Sequence, residues 1–163
     1  MFANALRGQE NKTAKTHLKE SSELFSEFSK VAANNPLSWF PTYRSSREIS
    51  EVTPENRMIG FPYTKYLNSI IRVNMSSAFI LMSQKKADEL SIPISKRIYV
   101  HGCSILDDIW NVTERPNFHS SPAINKCVNQ TLDKAEISLS DIKYFDLYSC
   151  FPSAVQIAKK ELN

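Results

Sequence analysis

Apolar residues between positions 13 and 33 recur with the period of an α-helix. Leu18, Phe25, Phe28 and Ala32 are separated by seven, three and four residues, so they fall on one helical face. Residues 34–36 (NNP) follow, and the residue before a proline avoids helical backbone angles. The pattern therefore predicts one long amphipathic helix that ends near residue 33.

Residues 37–66 show no regular hydrophobic period. Prolines punctuate this stretch, and a short helix is predicted only near residues 46–52. Its aromatic side chains are dense: Trp39, Phe40, Tyr43, Phe61, Tyr63 and Tyr66. Because long irregular loops are uncommon in compact domains, a loop of this kind is either functional or packed over another part of the molecule.

From residue 76 the pattern changes to alternating strands and helices. Residues 78–82 form an unbroken apolar run, which is typical of a strand covered on both faces. Residues 97–103 and 143–149 are predicted as two further strands, and residues 84–90 as a helix. Two more helices are predicted to begin at Pro122 and Pro152, since proline suits the first helical position. This order predicts an α/β fold for the second half of the chain.

Composition excludes several classes of function. The 163 residues carry a formal charge of +3, and basic and acidic residues are interspersed, so nucleic-acid binding is not indicated. Three scattered glycines cannot form a phosphate-binding loop, and three widely spaced cysteines form neither a disulfide framework nor a metal site. No apolar run reaches membrane-spanning length. We expect a soluble, cytoplasmic protein without a bound metal.

Tyr148, Ser149 and Cys150 are the candidate site residues, because they stand where the third predicted strand ends and the last helix begins. Ligands of open α/β sheets bind outside the carboxyl ends of the strands. Tyr148 offers a phenolic hydrogen-bond donor and Cys150 a thiol. Packing at the strand end is the alternative for Tyr148, and burial in the core is the alternative for Cys150. His17 falls on the charged face of the long helix and is predicted at the surface.

Four segments resemble the thiolase superfamily, in the acetyl-CoA acetyltransferase-like branch near the sterol carrier protein thiolases. Residues 28–40 (FSKVAANNPLSWF) are similar to a segment of that family's loop domain, and residues 56–65 (NRMIGFPYTK) to the return from it. Residues 77–83 (SAFILMS) resemble the last strand of the N-terminal half, and residues 146–155 (DLYSCFPSAV) an active-site segment of the C-terminal half.

The resemblance implies a partial thiolase-like α/β fold in three segments. Residues 1–60 correspond to the loop domain, with its helix and proline-rich excursion. Residues 61–90 correspond to the end of the N-terminal half, and residues 91–163 to the start of the C-terminal half. On this interpretation the chain is an internal fragment of a longer protein, whose family places the nucleophilic cysteine upstream of the loop domain and a Gly-His-Pro histidine near the C-terminus.

The resemblance also implies the chemistry. The family transfers acyl groups between coenzyme A thioesters, so a coenzyme A thioester is expected as substrate, with no permanently bound cofactor. Tyr148 stands where sterol carrier protein thiolases have the first residue of His-Asp-Cys-Phe, which helps to form an oxyanion hole. Tyr148, Ser149 and Cys150 would form that wall of the pocket, and Arg57 and Lys65 would meet the coenzyme A phosphates. The alternative for Arg57 and Lys65 is a solvated or structural charge, and the alternative for Ser149 is hydrogen bonding to the backbone of the turn.

Three functions remain open from the sequence. The first is a fragment of an acyl-CoA acyltransferase that is inactive alone and whose parent protein forms homo- or hetero-oligomers. The second is a non-catalytic, thiolase-like subunit that binds acyl-CoA or serves as a scaffold, which Tyr148 in place of histidine favours. The third is an independent interaction module of helical and α/β structure.

Overall fold

A computed structural model describes residues 1–162 of the chain. It contains six α-helices and one β-hairpin: α1 (Phe2–Gln9), α2 (Ala14–Ala33), α3 (Ser46–Ser50), β1 (Met58–Gly60), β2 (Tyr63–Thr64), α4 (Gln84–Glu89), α5 (Pro122–Ala135) and α6 (Pro152–Glu161). Short 3₁₀ turns occupy Lys65–Leu67, Ile94–Lys96, Val112–Glu114 and Leu139–Asp141. Five of the helices match the sequence prediction; α1 and the hairpin were not predicted.

The helix starts follow from local capping. The hydroxyl of Thr13 accepts a hydrogen bond from the Thr16 amide at 3.1 Å and begins α2. Ser45 and Glu48 form a reciprocal capping box at the start of α3. Ser83 caps α4 in the same way as Thr13 caps α2. The predicted prolines at the starts of α5 and α6 stand in the first turn of each helix.

The buried face of α2 is polar, contrary to the sequence prediction. Its buried residues are His17, Ser21, Ser22 and Ser26, whereas its apolar stripe is half-buried or exposed. The Ser21 and Ser22 hydroxyls donate to backbone carbonyls four residues earlier, each at 2.8 Å, so their burial leaves no hydroxyl unpaired. The predicted surface position of His17 is therefore wrong: its side chain is fully buried, and Gln156 of α6 bonds to Ser21, which is buried on the same helix.

Residues 45–67 form a tightly bonded unit against α2. Asn56 is buried, and its amide group donates to the carbonyls of Glu48, Ile49 and Glu51 at 2.8–3.0 Å. Its side-chain oxygen accepts from the Tyr66 amide at 2.9 Å. One side chain thus joins α3 to the hairpin that follows it. The core packed beside this unit consists of Ala3, Ile49, Tyr63 and Leu67.

The C-terminal helix α6 closes the same side of the molecule. It packs against α1 and α5. The Gln156 amide donates to the Ser21 hydroxyl at 3.1 Å, which ties α6 to α2. Glu161 accepts from the Ser121 amide at 2.8 Å through its carboxylate and from Asn125 through its backbone carbonyl. The end of the described chain is therefore hydrogen-bonded to both α2 and the start of α5.

The three strands predicted in the second half do not form in residues 1–162. Residues 78–82, 97–103 and 143–149 carry no ladder hydrogen bonds, and the only sheet in the described chain is the β1–β2 hairpin. The backbone there is without a strand neighbour, so the apolar side chains remain exposed; Phe79 is 88% exposed. The segment at 97–103 instead lies along α5, where the Lys134 ammonium donates to the Cys103 carbonyl at 2.8 Å.

Candidate functional site

The Tyr148–Cys150 turn comes directly before α6, as the sequence predicts. The Ser149 hydroxyl donates to the Phe151 carbonyl, and it therefore satisfies the turn's own backbone. The Cys150 thiol lies 3.8 Å from the Tyr148 hydroxyl. This contact with Cys150 raises the pKa of Tyr148 above its ordinary value. Tyr148 is 91% exposed, so it presents a protonated phenol to its surroundings. Such a group can donate a hydrogen bond but cannot accept a proton as a neutral-pH base.

Two contacts join this turn to the hairpin region. The Cys150 carbonyl accepts a hydrogen bond from the Ser69 amide at 3.1 Å. The Phe151 ring stacks on Tyr63, with ring centres 6.5 Å apart and planes 8° from parallel. Burial raises the pKa of the Tyr63 hydroxyl, while the nearby Ser153 opposes that shift. The structure therefore brings the predicted pocket-wall residues next to the segment that follows the hairpin.

Residues 37–66, with their dense aromatic side chains, are called the aromatic loop. A cavity of about 560 Å³ lies between α2 and this loop, and we call it the aromatic cavity. Its walls are formed by Phe25, Phe28, Ser29, Ala32, Phe40, Thr42, Arg44, Ile49, Lys65, Tyr66, Asn68 and Ile70. Asn68 and Ile70 flank Ser69, the residue that bonds to Cys150. Residues 68–70 therefore link the cavity to the Tyr148–Cys150 turn.

Two cations line the aromatic cavity, and no carboxylate lines it. Lys65 is one of them. Arg44 is the other, and its guanidinium lies over the Tyr66 ring at 4.0 Å. Serines of α2 hold the backbone of Arg44: its carbonyl accepts from the Ser26 hydroxyl at 2.8 Å, and its amide donates to the Ser29 hydroxyl at 3.0 Å. The cavity thus combines an apolar interior with positive charge.

Arg44 was not predicted from the sequence, although the signal for it is visible. It follows Tyr43 in the aromatic loop, where a basic residue among aromatic ones is a candidate for binding an anion. Arg57, which was predicted, lies outside the cavity walls. It is exposed, and its guanidinium donates to the Met58 carbonyl at 3.3 Å. Its backbone is near Lys65, because the Lys65 amide donates to the Arg57 carbonyl at 2.9 Å.

Among residues 1–162, no three His, Cys, Asp or Glu side chains cluster in a way that could hold a metal ion. The same residues include no helix with the length and apolar character that a membrane crossing requires.

These elements define part of an α/β fold of the thiolase type, with a helical and loop-rich front section and a candidate pocket wall before α6. A solved structure supports this classification: a monomeric SCP2-thiolase-like protein type 1 from Mycobacterium smegmatis, with a TM-score of 0.85 and 34% sequence identity. The match covers 99% of this chain and 36% of that one. The resemblance to the sterol carrier protein thiolase-like branch and the fold class are therefore confirmed.

Two other comparisons are negative. No protein-family model matches the chain, and no curated protein sequence does.

Proposed function

We propose that the chain forms the acyl-CoA-binding part of a thiolase-like acyltransferase and that it does not catalyse acyl transfer alone. The observation that supports this proposal is the aromatic cavity: Lys65 and Arg44 line it, and Ser69, between its wall residues Asn68 and Ile70, donates to the Cys150 carbonyl. Its apolar walls suit the pantetheine and acyl portions of a coenzyme A thioester, and its cations suit the phosphates. Arg57, exposed beside the Lys65 backbone, would meet phosphate groups that extend beyond the cavity.

Tyr148 is proposed as the donor to the oxyanion that develops when a thioester carbonyl is attacked. A donor aimed at that oxygen stabilises the transition state. Its hydroxyl suits this role because its raised pKa keeps the proton in place at neutral pH. Ser149 and Cys150 complete the wall: the Ser149 hydroxyl fixes the turn, and the Cys150 thiol stands beside the Tyr148 hydroxyl.

The proposal that the chain is inactive alone is supported by the extent of the match. The chain spans about 36% of the matched structure, and its extended apolar segments at 78–82 and 97–103 have no strand partners among residues 1–162. Apolar surfaces of this kind mark contacts with further polypeptide. We accordingly propose that the active protein is a larger assembly, either of one longer chain or of several.

Calorimetric titration with coenzyme A and acetyl-CoA tests the binding proposal. Removing Lys65 or Arg44 by substitution with alanine is expected to weaken binding about tenfold, since a hydrogen bond to a charged group is lost. Lys85→Ala is the matched control, because Lys85 is exposed on α4 and lines no part of the cavity. Equal affinities for all three variants and the parent chain would refute the assignment.

An assay of thiolysis on the unmodified chain tests the second half of the proposal. We expect no turnover above the uncatalysed rate. Measurable turnover that disappears in Tyr148→Phe would show that the chain is catalytic by itself. That result would overturn the claim that a further polypeptide is required.

A non-catalytic acyl-CoA-binding or scaffold subunit is the second candidate function. Tyr148 favours it, since the family's histidine at this position is replaced by a phenol that cannot accept a proton near neutral pH. A single substitution distinguishes the two candidate functions. Tyr148→His is expected to raise activity in the full assembly if the site is catalytic, and to leave it at background if the protein only binds.

A further inference from the structure

Phe28 is shared by two cavities of the structure. It lines the aromatic cavity and also a second cavity of about 930 Å³. Phe28 is 47% exposed, and its ring centre lies 5.5 Å from that of Phe25. The ring therefore stands as a partition between the two spaces, and no other residue lines both.

The second cavity is apolar and close to electrically neutral. Its walls include Leu24 of α2, Val155 of α6, and Leu139, Phe145 and Leu147. Asp146 and Lys159 are its charged residues, and their charges offset each other. The aromatic cavity, by contrast, carries the two cations Arg44 and Lys65 without a carboxylate. The aromatic cavity is therefore positively charged, and the second cavity is apolar and close to neutral. This difference matches the anionic head and the apolar tail of an amphiphile.

We propose that Phe28 determines acyl-chain length: the coenzyme A end of a long-chain thioester binds at Arg44 and Lys65, and its acyl chain passes Phe28 into the second cavity. This inference rests on the proposed function. Short acyl groups end in the aromatic cavity and do not reach the partition. Each methylene group that moves out of water into the second cavity increases the affinity for the thioester about fourfold.

The wall opposite Phe28 provides the sharpest test. Phe145 lines the second cavity and is exposed, so Phe145→Asp places a charge in the acyl path without disturbing a buried core. Tyr144→Asp is the matched control, since the neighbouring Tyr144 is exposed and lines neither cavity. Phe28→Trp narrows the partition, and Phe28→Ala opens it.

Affinities of acetyl-CoA and dodecanoyl-CoA are measured for the whole chain and each variant. We expect dodecanoyl-CoA to bind at least tenfold more tightly than acetyl-CoA to the unmodified chain and to Tyr144→Asp. Phe145→Asp should lose that advantage while its acetyl-CoA affinity stays the same. Phe28→Trp should lose the advantage as well. Phe28→Ala should retain it.

The two proposals fail differently. If acetyl-CoA binds but chain length has no effect, or if Phe145→Asp leaves the long-chain advantage intact, the acyl path is wrong and the proposed function stands. If neither thioester binds to the chain, the proposed function is refuted, and the acyl path is refuted with it.

Discussion

Residues 1–69 and residues 70–151 contain comparable apolar runs but bury them very differently. The first region buries Leu6, Ile49 and Leu67 almost completely and satisfies Asn56 with four hydrogen bonds. In the second region, only Ala87 and Ser121 are buried among the described residues. Its extended segments hold exposed Phe79, Ile98 and Tyr144 instead. Apolar composition therefore does not decide burial; a complementary surface does.

The comparison separates two uses of hydrophobic sequence. In the first region, α2, the hairpin and α1 supply surfaces for one another, so burial stabilises the fold within the described chain. In the second region the same kinds of side chain face outward in long segments, as surfaces for association do. Residues 1–69, which hold most of the candidate pocket, therefore have a buried core. Residues 70–151 leave their apolar side chains exposed to further contacts.

The largest expected difference comes from two matched truncations. Leu67 is 1% exposed in the core, whereas Ile98 is 95% exposed in the second region. Leu67→Ala is expected to lower the free energy of unfolding by about 2 to 5 kcal/mol, because it removes buried methyl groups and leaves a cavity. Ile98→Ala should change it by less than about 0.5 kcal/mol.

Urea unfolding followed by circular dichroism measures both variants, and sedimentation measures association. Ile98→Ala is expected to reduce self-association, since it removes exposed apolar surface. A loss of stability in Ile98→Ala similar to that in Leu67→Ala would contradict the distinction between the two regions.

The sequence predicts helices better than strands here, and the reason is physical. The signals for α2, α5 and α6 are local: a capping hydroxyl, a proline in the first turn and a periodic stripe. A strand needs partners for its backbone, and none of the segments at 78–82, 97–103 and 143–149 has one in the described chain. Local apolar patterns cannot report whether such a partner is present.

The candidate site was predicted in part for the same reason. The Tyr148–Cys150 turn was predicted because it lies between sequence-local elements, and Lys65 because a motif contains it. Arg44 was missed, since its role depends on serines of α2 that hold its backbone from 15 and 18 residues away. The surface prediction for His17 was wrong because a charged helical face gives no indication that His17 is buried.

A substitution at Gly102, in the second region, is expected to change the stability by an intermediate amount. A Cβ there would lie 2.5 Å from the Thr131 carbonyl oxygen, so the close approach of residues 97–103 to α5 requires glycine. Gly102→Ala is expected to destabilise the protein by about 1 to 3 kcal/mol and to reduce hydrogen-exchange protection in α5.

Gly8→Ala is the control for this prediction. A Cβ at Gly8 meets no atom within 4 Å, and the position lies inside α1. Alanine is expected to stabilise the helix there by about 0.5 to 1 kcal/mol. If Gly102→Ala proves as harmless as Gly8→Ala, residues 97–103 do not dock closely on α5, and the second region is more open than described.

A smaller effect, the pH dependence of stability that His17 contributes, tests the burial of the first region. His17 is fully buried, and neither ring nitrogen has a hydrogen-bond partner. Burial lowers the pKa of His17, with Glu10 and Glu20 opposing the shift and Lys12 and Arg7 adding to it. The unfolded chain therefore binds a proton more readily than the folded one, so the free energy of unfolding should fall as pH drops below about 6.5.

His17→Gln isolates that contribution, because glutamine does not titrate. Urea unfolding at about pH 7.5 and about pH 5.5 should show a smaller loss of stability on acidification in His17→Gln than in the unmodified chain. His101→Gln is the control from the exposed second region and should keep the full pH dependence. An unchanged pH dependence in His17→Gln would mean that the ring binds a proton as readily in the folded protein as in the unfolded chain, and that its burial does not exclude water.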